Sequence, residues 1–200
     1  MSSRGPLVLT PDRDGLTRAA QLLRGGGVVA FPTDTVYGLG ADAADDLAQR
    51  RIYQIKGRPV GLPLILMAAA ESQLAGWVHI DARAAEIIRR WWPGPLTVIL
   101  HAIGGGTLGV RIPNHEVALE LLRASGPLMT TSANLHGKDP AMTAGDAGEL
   151  PGLSAILDGG PAPGGTASTV LDLTGPEPHI LRLGAISTEE LLGPPPPKAG

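Results

Sequence analysis

Phe31-Pro32-Thr33-Asp34-Thr35-Val36-Tyr37-Gly38-Leu39-Gly40 crowds three hydroxyls and a carboxylate into the place where an apolar strand should end. Just upstream, Gly25-Gly26-Gly27 closes one element and Val28-Val29-Ala30-Phe31 forms a short apolar run, the pattern of a buried strand. Pro32 has no N–H to give a ladder, so the strand stops there. The two glycines beyond Tyr37 let a backbone approach a ligand closely. Taken alone, the stretch fits both a strand running into a binding loop and an ordinary polar turn.

Working outward, Thr10 to Arg24 carries Leu16, Ala19, Ala20, Leu22 and Leu23 at helical spacing and ends at Gly25, which predicts a helix feeding the Val28 strand. Asp45 or Asp46 caps a second helix, with Leu47, Ile52 and Ile55 toward one side and Gly57 past its end at Lys56. Pro63 to Met67 reads as a strand, Asp81 caps a helix running to Trp91, and Pro93-Gly94-Pro95 breaks it. Leu96 to Leu100 and Val110 to Ile112 read as strands around Gly104-Gly105-Gly106, and Asn114 caps a helix closed by Gly126. Leu128 to Thr131 reads as a strand delivering Ser132, Ala133 and Asn134 at its end. Short strands at Ile156-Leu157, Thr169 to Leu173 and His179 to Leu183 follow, then a helix opened by the capping box of Ser187 and Glu190. Some connections are hairpin-short and others carry helices. The expected class is therefore α+β (mixed α/β), a mixed sheet flanked by helices rather than a doubly wound parallel one.

Two hundred residues with 43% hydrophobic content suffice for one core and favour one domain. The chain has no cysteine, which removes disulfides and thiolate metal sites and fits a reducing, cytoplasmic location. Met1 to Pro11 holds no apolar segment, and the longest apolar run, Leu62 to Ala70, is too short to span a bilayer, so no membrane association is expected. A net charge of -3, a pI near 5.9 and 3% aromatic content argue against gripping nucleic acid by its phosphates or stacking its bases. Any anion site must be local.

Lys56-Gly57-Arg58-Pro59 sets two cations where a helix gives way to a fixed turn. They suit a phosphate clamp, and they also suit a helix C-terminus answering its dipole. Ser132 and Asn134 offer a hydroxyl and an amide on one side of an extended backbone, or a turn. Arg111, flanked by Val110 and Ile112, either faces solvent at a sheet edge or meets an anion such as a carboxylate. Ser168 and Arg182 lie near the ends of late strands. Other familiar signals fail in context. Gly104 to Gly109 matches Gly-x-Gly-x-x-Gly but joins two strands, the five histidines lack metal-ligand spacing, and there is no Gly-x-Ser-x-Gly elbow.

Pro32 to Gly40, Lys56-Gly57-Arg58-Pro59, Trp92-Pro93-Gly94-Pro95-Leu96-Thr97, Val110-Arg111-Ile112-Pro113, Thr131-Ser132-Ala133-Asn134 and Ser168-Thr169-Val170 follow one another in a specific order. In that order they resemble the YrdC-type threonylcarbamoyl-AMP synthase family. The resemblance runs from about Leu7 to Leu192, as the short single-domain form, and leaves 193–200 as a Pro-rich, disordered tail. It implies a YrdC/RibB-like twisted mixed sheet with a concave cleft, where ATP, L-threonine and bicarbonate or CO2 become threonylcarbamoyl-adenylate and pyrophosphate for tRNA modification. It also implies a downstream threonylcarbamoyl transferase complex, a possible contact with tRNA, and Mg2+ held mainly by phosphates, with no metal-binding side chains. By the same resemblance Lys56, Arg58, Ser132 and Asn134 hold the phosphates and act in catalysis, and Arg182 lies by the adenylate. Arg111 binds the threonine carboxylate, and Thr33, Thr35, Thr131 and Ser168 line the amino-acid side. Leu62, Met67 and Leu183 depart from the family pattern, and Asp34 receives no role. A non-catalytic RNA-binding or ribosome-associated protein on the same fold is the alternative.

Overall fold

The computed structural model describes residues 5–193. The first helix, α1 (Arg13–Arg24), starts where the Asp12 carboxylate accepts the Gly15 N–H at 2.8 Å, and it buries Leu16, Ala19, Ala20 and Leu23. Strand β2 (Val29–Phe31) follows and is fully buried. Asp45 caps α2 (Asp46–Lys56), which ends at Gly57 with φ 58°, a left-handed conformation that glycine adopts without strain. Leu47 points into solvent, contrary to its expected place beside Ile52 and Ile55. Helices α3 (Ala82–Trp91) and α6 (Thr188–Leu192) start at Asp81 and at the Ser187/Glu190 capping box as expected. Helix α4 (Glu116–Ser125) starts after His115, without a side-chain cap, so Asn114 does not cap it.

Besides a 3-10 turn at Glu71–Gln73, three elements among the described residues lack an expected counterpart. Strand β1 (Leu7–Leu9) pairs in parallel with β8 (Ala155–Leu157), α5 (Ala144–Gly148) is held by a Thr143/Asp146 capping box, and β3 (Gly38–Asp42) begins inside the opening stretch. The remaining strands are β4 (Ile65–Met67), β5 (Leu96–His101), β6 (Thr107–Arg111), β7 (Leu128–Ser132), β9 (Thr169–Asp172) and β10 (His179–Arg182). All ten form one mixed sheet in the order β1-β8-β2-β3-β7-β4-β6-β5-β9-β10. β2/β3, β3/β7, β4/β7, β5/β6 and β9/β10 are antiparallel, whereas β1/β8, β2/β8, β4/β6 and β5/β9 are parallel. The expected mixed sheet flanked by helices is what forms.

Period-2 alternation then sorts side chains to two faces. On one face Leu39, Ala41 and Ile156 pack with α2 and α5, and Leu66, Val98, Val110 and Leu171 pack with α3 and α6. On the other, Val29, Phe31, Leu128, Met67 and Leu157 pack against α1 and α4. The remainder of this second face, over β7, β4, β6 and β5, is left for a cleft. Among the described residues no helix is long and apolar enough to cross a membrane. Of the expected tail, only Gly193 is described and 194–200 lie outside the described residues.

Candidate active site

A cavity of about 380 Å³ occupies that uncovered face. Thr130, Ile65, Gly109 and Ile99 face one another across β7, β4, β6 and β5 and form its floor. Arg58, Arg111, Arg182, Thr33, Thr35, Thr131, Ser132 and Ser168 all reach its wall, so residues far apart in sequence do converge. Lys56 and Asn134, expected beside them, do not line it. The sequence reading missed Thr97, Thr107 and Thr130, which also line the cavity. The signal for Thr97 was available, since alternation sets it opposite Leu96, Val98 and Leu100.

Arg111 is buried and takes neither the solvent-facing nor the edge alternative. Its NH2 donates to Asp34 Oδ1 at 2.6 Å, its Nε to the Gly94 carbonyl at 3.0 Å and its NH1 to Thr35 Oγ1 at 3.0 Å. The direction of the hydroxyl chain follows, because guanidinium only donates and a carbonyl only accepts. Thr33 Oγ1 donates to Val36 O at 2.7 Å, so Thr35 Oγ1 must give its proton to Thr33 Oγ1, 3.0 Å away. Thr33 Oγ1 also accepts the N–H groups of Thr35 and Val36, which closes the turn between β2 and β3. Both hydroxyl protons are thereby consumed internally and Thr33 Oγ1 is saturated as an acceptor, so Thr35 Oγ1, which accepts from Arg111 NH1, keeps one lone pair for a ligand. Burial pushes the Arg111 pKa down, Asp34 opposes this, and Arg182 adds a further lowering.

The Lys56 ammonium donates to Ser132 O at 2.5 Å, Asn134 O at 2.6 Å and Asn134 Oδ1 at 3.0 Å, which uses all three of its N–H groups. This is why it misses the cavity: it braces, from behind, the turn that leaves β7. Burial, then the neighbouring Arg58 charge, lowers its pKa from 10.5 to about 8. Asn134 joins the same knot, its Oδ1 accepting from Ser132 Oγ at 2.5 Å and its Nδ2 donating to Leu135 O and Lys138 O. The Asn134 N–H turns back to Ser132 O, so the two side chains meet across a turn instead of projecting from an extended strand. Arg58 does reach the cavity, with NH1 on Thr131 Oγ1 at 3.1 Å and NH2 on Pro63 O at 3.0 Å.

At the far wall Arg182 NH2 donates to Ser168 O at 2.9 Å, and the Ser168 and Thr97 hydroxyls pair at 2.8 Å. Burial lowers the Arg182 pKa. Met67 is buried on the cavity wall, while Leu62 and Leu183 are exposed. Among the described residues the ion pairs are Arg111–Asp34 and Arg123–Glu120, so neither Arg58 nor Arg182 meets a carboxylate. Inside a chain of net charge -3, three guanidiniums line the cavity with no carboxylate among the lining residues, and Asp34 pairs with one of them, Arg111, from outside that lining. Such a site is built to receive anions at more than one point.

A family model described as "Telomere recombination", covering Sua5, YciO and YrdC, matches residues 21–184. The chain belongs to the Sua5/YciO/YrdC family. Within it, a Pyrococcus abyssi protein named threonylcarbamoyl-AMP synthase is 42% identical over 86% of this chain and 55% of its own length. A Mycobacterium tuberculosis protein named putative threonylcarbamoyl-AMP synthase is 36% identical over 88% of this chain and 87% of its own. The crystal structure of P. abyssi Sua5 complexed with L-threonine superposes with a TM-score of 0.83 at 39% identity, over 89% of this chain and 57% of that one. This Sua5/YciO/YrdC chain thus spans about half the length of the P. abyssi relative and most of the mycobacterial one.

Proposed function

We propose that the chain makes L-threonylcarbamoyladenylate and pyrophosphate from L-threonine, bicarbonate or CO2, and ATP. The observation that carries this reading is the convergence of Arg58, Arg111 and Arg182 on one hydroxyl-lined cavity, with no carboxylate on its wall and Asp34 paired with Arg111 alone. The substrates bring two separate anionic groups, an amino-acid carboxylate and a triphosphate. In this reading Arg111 takes the carboxylate of threonine beside Thr33, Thr35 and Ser168. Thr131, on the amino-acid side, is held by Arg58 NH1 at 3.1 Å; Arg58 and Ser132 take the phosphates, and Arg182 lies by the adenylate. Lys56 and Asn134 serve the phosphates by holding the turn that carries Ser132.

The threonine amine adds to CO2, losing a proton to form a carbamate. A carbamate oxygen then attacks the α-phosphorus, and the bond from that phosphorus to the β-phosphate oxygen breaks to release pyrophosphate. The chain supplies no nucleophile. It holds the reactants in line and meets the charge that grows on the phosphates, where loss of one such donor typically costs about 3 kcal/mol. Among the described residues no three His, Asp or Glu side chains gather into a metal site. Mg2+ would be held by phosphate oxygens and water, where it would neutralise phosphate charge. In the cell the adenylate would pass to a threonylcarbamoyl transferase complex in the cytoplasm, for threonylcarbamoyladenosine in tRNA. No observation favours the RNA-binding alternative, since the converging cations lie within a cavity and the net charge is -3.

The test is pyrophosphate release by purified protein given ATP, bicarbonate and each amino acid in turn. Threonine-dependent release is expected. Release that ignores threonine, or none from folded protein, would overturn the reading.

A further inference from the structure

Asp34 sits in the turn between β2 and β3, behind Arg111 rather than on the cavity wall. Its Oδ1 takes the Arg111 NH2, while its Oδ2 is buried with no hydrogen-bond partner among the described residues. Leaving a buried carboxylate oxygen unpaired costs stability, and a buried ion pair is itself weak evidence of a stabilising role. An arrangement retained at such cost needs another reason. The guanidinium provides one, because each of its three nitrogens is anchored: Nε to the Gly94 carbonyl, NH1 to Thr35 and NH2 to Asp34. Two of the five guanidinium N–H groups are left for the cavity, in a direction those anchors determine.

We propose that Asp34 is a positioning residue, fixing the Arg111 guanidinium in the orientation that receives the substrate carboxylate. This rests on the function proposed above. Two roles for Asp34 predict opposite signs. A carboxylate that merely neutralised Arg111 would, once removed, leave a bare cation that binds an incoming anion more tightly. A carboxylate that orients Arg111 would, once removed, weaken binding, because the planar donor fork loses its aim.

The experiment is calorimetric titration of L-threonine, and separately of ATP, into the wild type, Asp34→Asn, Arg111→Lys and the double variant. Asp34→Asn is expected to raise the threonine Kd at least tenfold and to leave the ATP Kd within twofold. Adding it to Arg111→Lys should change the threonine Kd less than twofold, since Asp34 acts only through Arg111. Unchanged or tighter threonine binding by Asp34→Asn, or full additivity in the double variant, overturns the proposal. Should Asp34→Asn not fold, the same cycle runs with Asp34→Glu, which keeps the charge but displaces it by a methylene, with the same expectations. A wild type that binds no threonine overturns the proposed function as well, whereas threonine binding that ignores Asp34 overturns this inference alone.

Discussion

Raising the pH from 7 to 9.5 should stabilise this fold, and Lys56→Met should abolish the gain. Lys56 is 2% exposed, and its ammonium is held by three carbonyl-type oxygens without a carboxylate partner among the described residues. Burial sets its folded pKa near 8 against 10.5 when free. Between those values the unfolded chain holds more protons than the folded one, so stability rises with pH across the window. Below pH 8 both states are protonated and the slope vanishes; above 10.5 both are neutral. Integrated from pH 7 to 9.5, the gain is on the order of 2 kcal/mol. Tyr37, raised to about 12 chiefly by burial, works in the opposite sense but only above pH 10, where an unfolded tyrosine begins to ionise. Methionine keeps the apolar stem and removes the titration, at the expense of the Ser132 and Asn134 carbonyl contacts, about 1–3 kcal/mol for a buried group left unsatisfied. The variant should therefore be the less stable protein at pH 9.5 and show a flat profile. Urea unfolding of both proteins at half-unit pH steps provides the measurement. Parallel profiles for wild type and variant would refute the reasoning.

Further outcomes follow from the cavity floor and the phosphate side. A Cβ on Gly38 would meet Thr131 O at 3.6 Å and Phe31 Cζ at 3.7 Å, ordinary contacts, so Gly38→Ala should fold normally while its methyl, on the cavity wall, weakens substrate binding roughly tenfold. On Gly40 a Cβ would lie 2.9 Å from Phe31 Cε1 and 3.0 Å from Leu128 Cδ1, so Gly40→Ala should lose about 1–3 kcal/mol in denaturant unfolding by overpacking. Arg58→Lys keeps a charge but cannot reach both Thr131 Oγ1 and Pro63 O, so the ATP Kd should rise about tenfold or more with threonine affinity unchanged, as read by calorimetry.

What was legible in the sequence was whatever local chemistry decides. Asp12, Asp45 and Asp81 cap helices because a short carboxylate reaches the free N–H groups of the next turn, and Gly57 and Gly126 end helices where φ turns positive. β3 was not legible, because Gly38-Leu39-Gly40-Ala41-Asp42 has no β-branched residue. Its strand character comes from β2 and β7 on either side, and its glycines leave space for Phe31 and Leu128. The Thr143/Asp146 box of α5 was a local signal that the reading overlooked. At the site, the ordered motifs contain Thr33, Thr35, Arg58, Arg111, Ser132 and Ser168, which converge, but also Lys56 and Asn134, which do not line the cavity, and they leave out Thr107 and Thr130, because spacing could not say which way a side chain turns. Lys56 and Arg58 are two residues apart, yet one faces the turn after β7 and the other the cavity, since Gly57 in its left-handed conformation reverses the chain between them. Asp34 had no readable role because its partner, Arg111, is distant in sequence and meets it only in the folded sheet.

The central claim, that this cavity joins threonine, a one-carbon unit and the α-phosphate of ATP, is tested most directly by mass spectrometry with ¹³C-labelled bicarbonate. The account predicts a threonylcarbamoyl-adenylate that carries the label and forms only when threonine and ATP are both present. Pyrophosphate release without a labelled adenylate, under conditions that preserve it, would contradict the account.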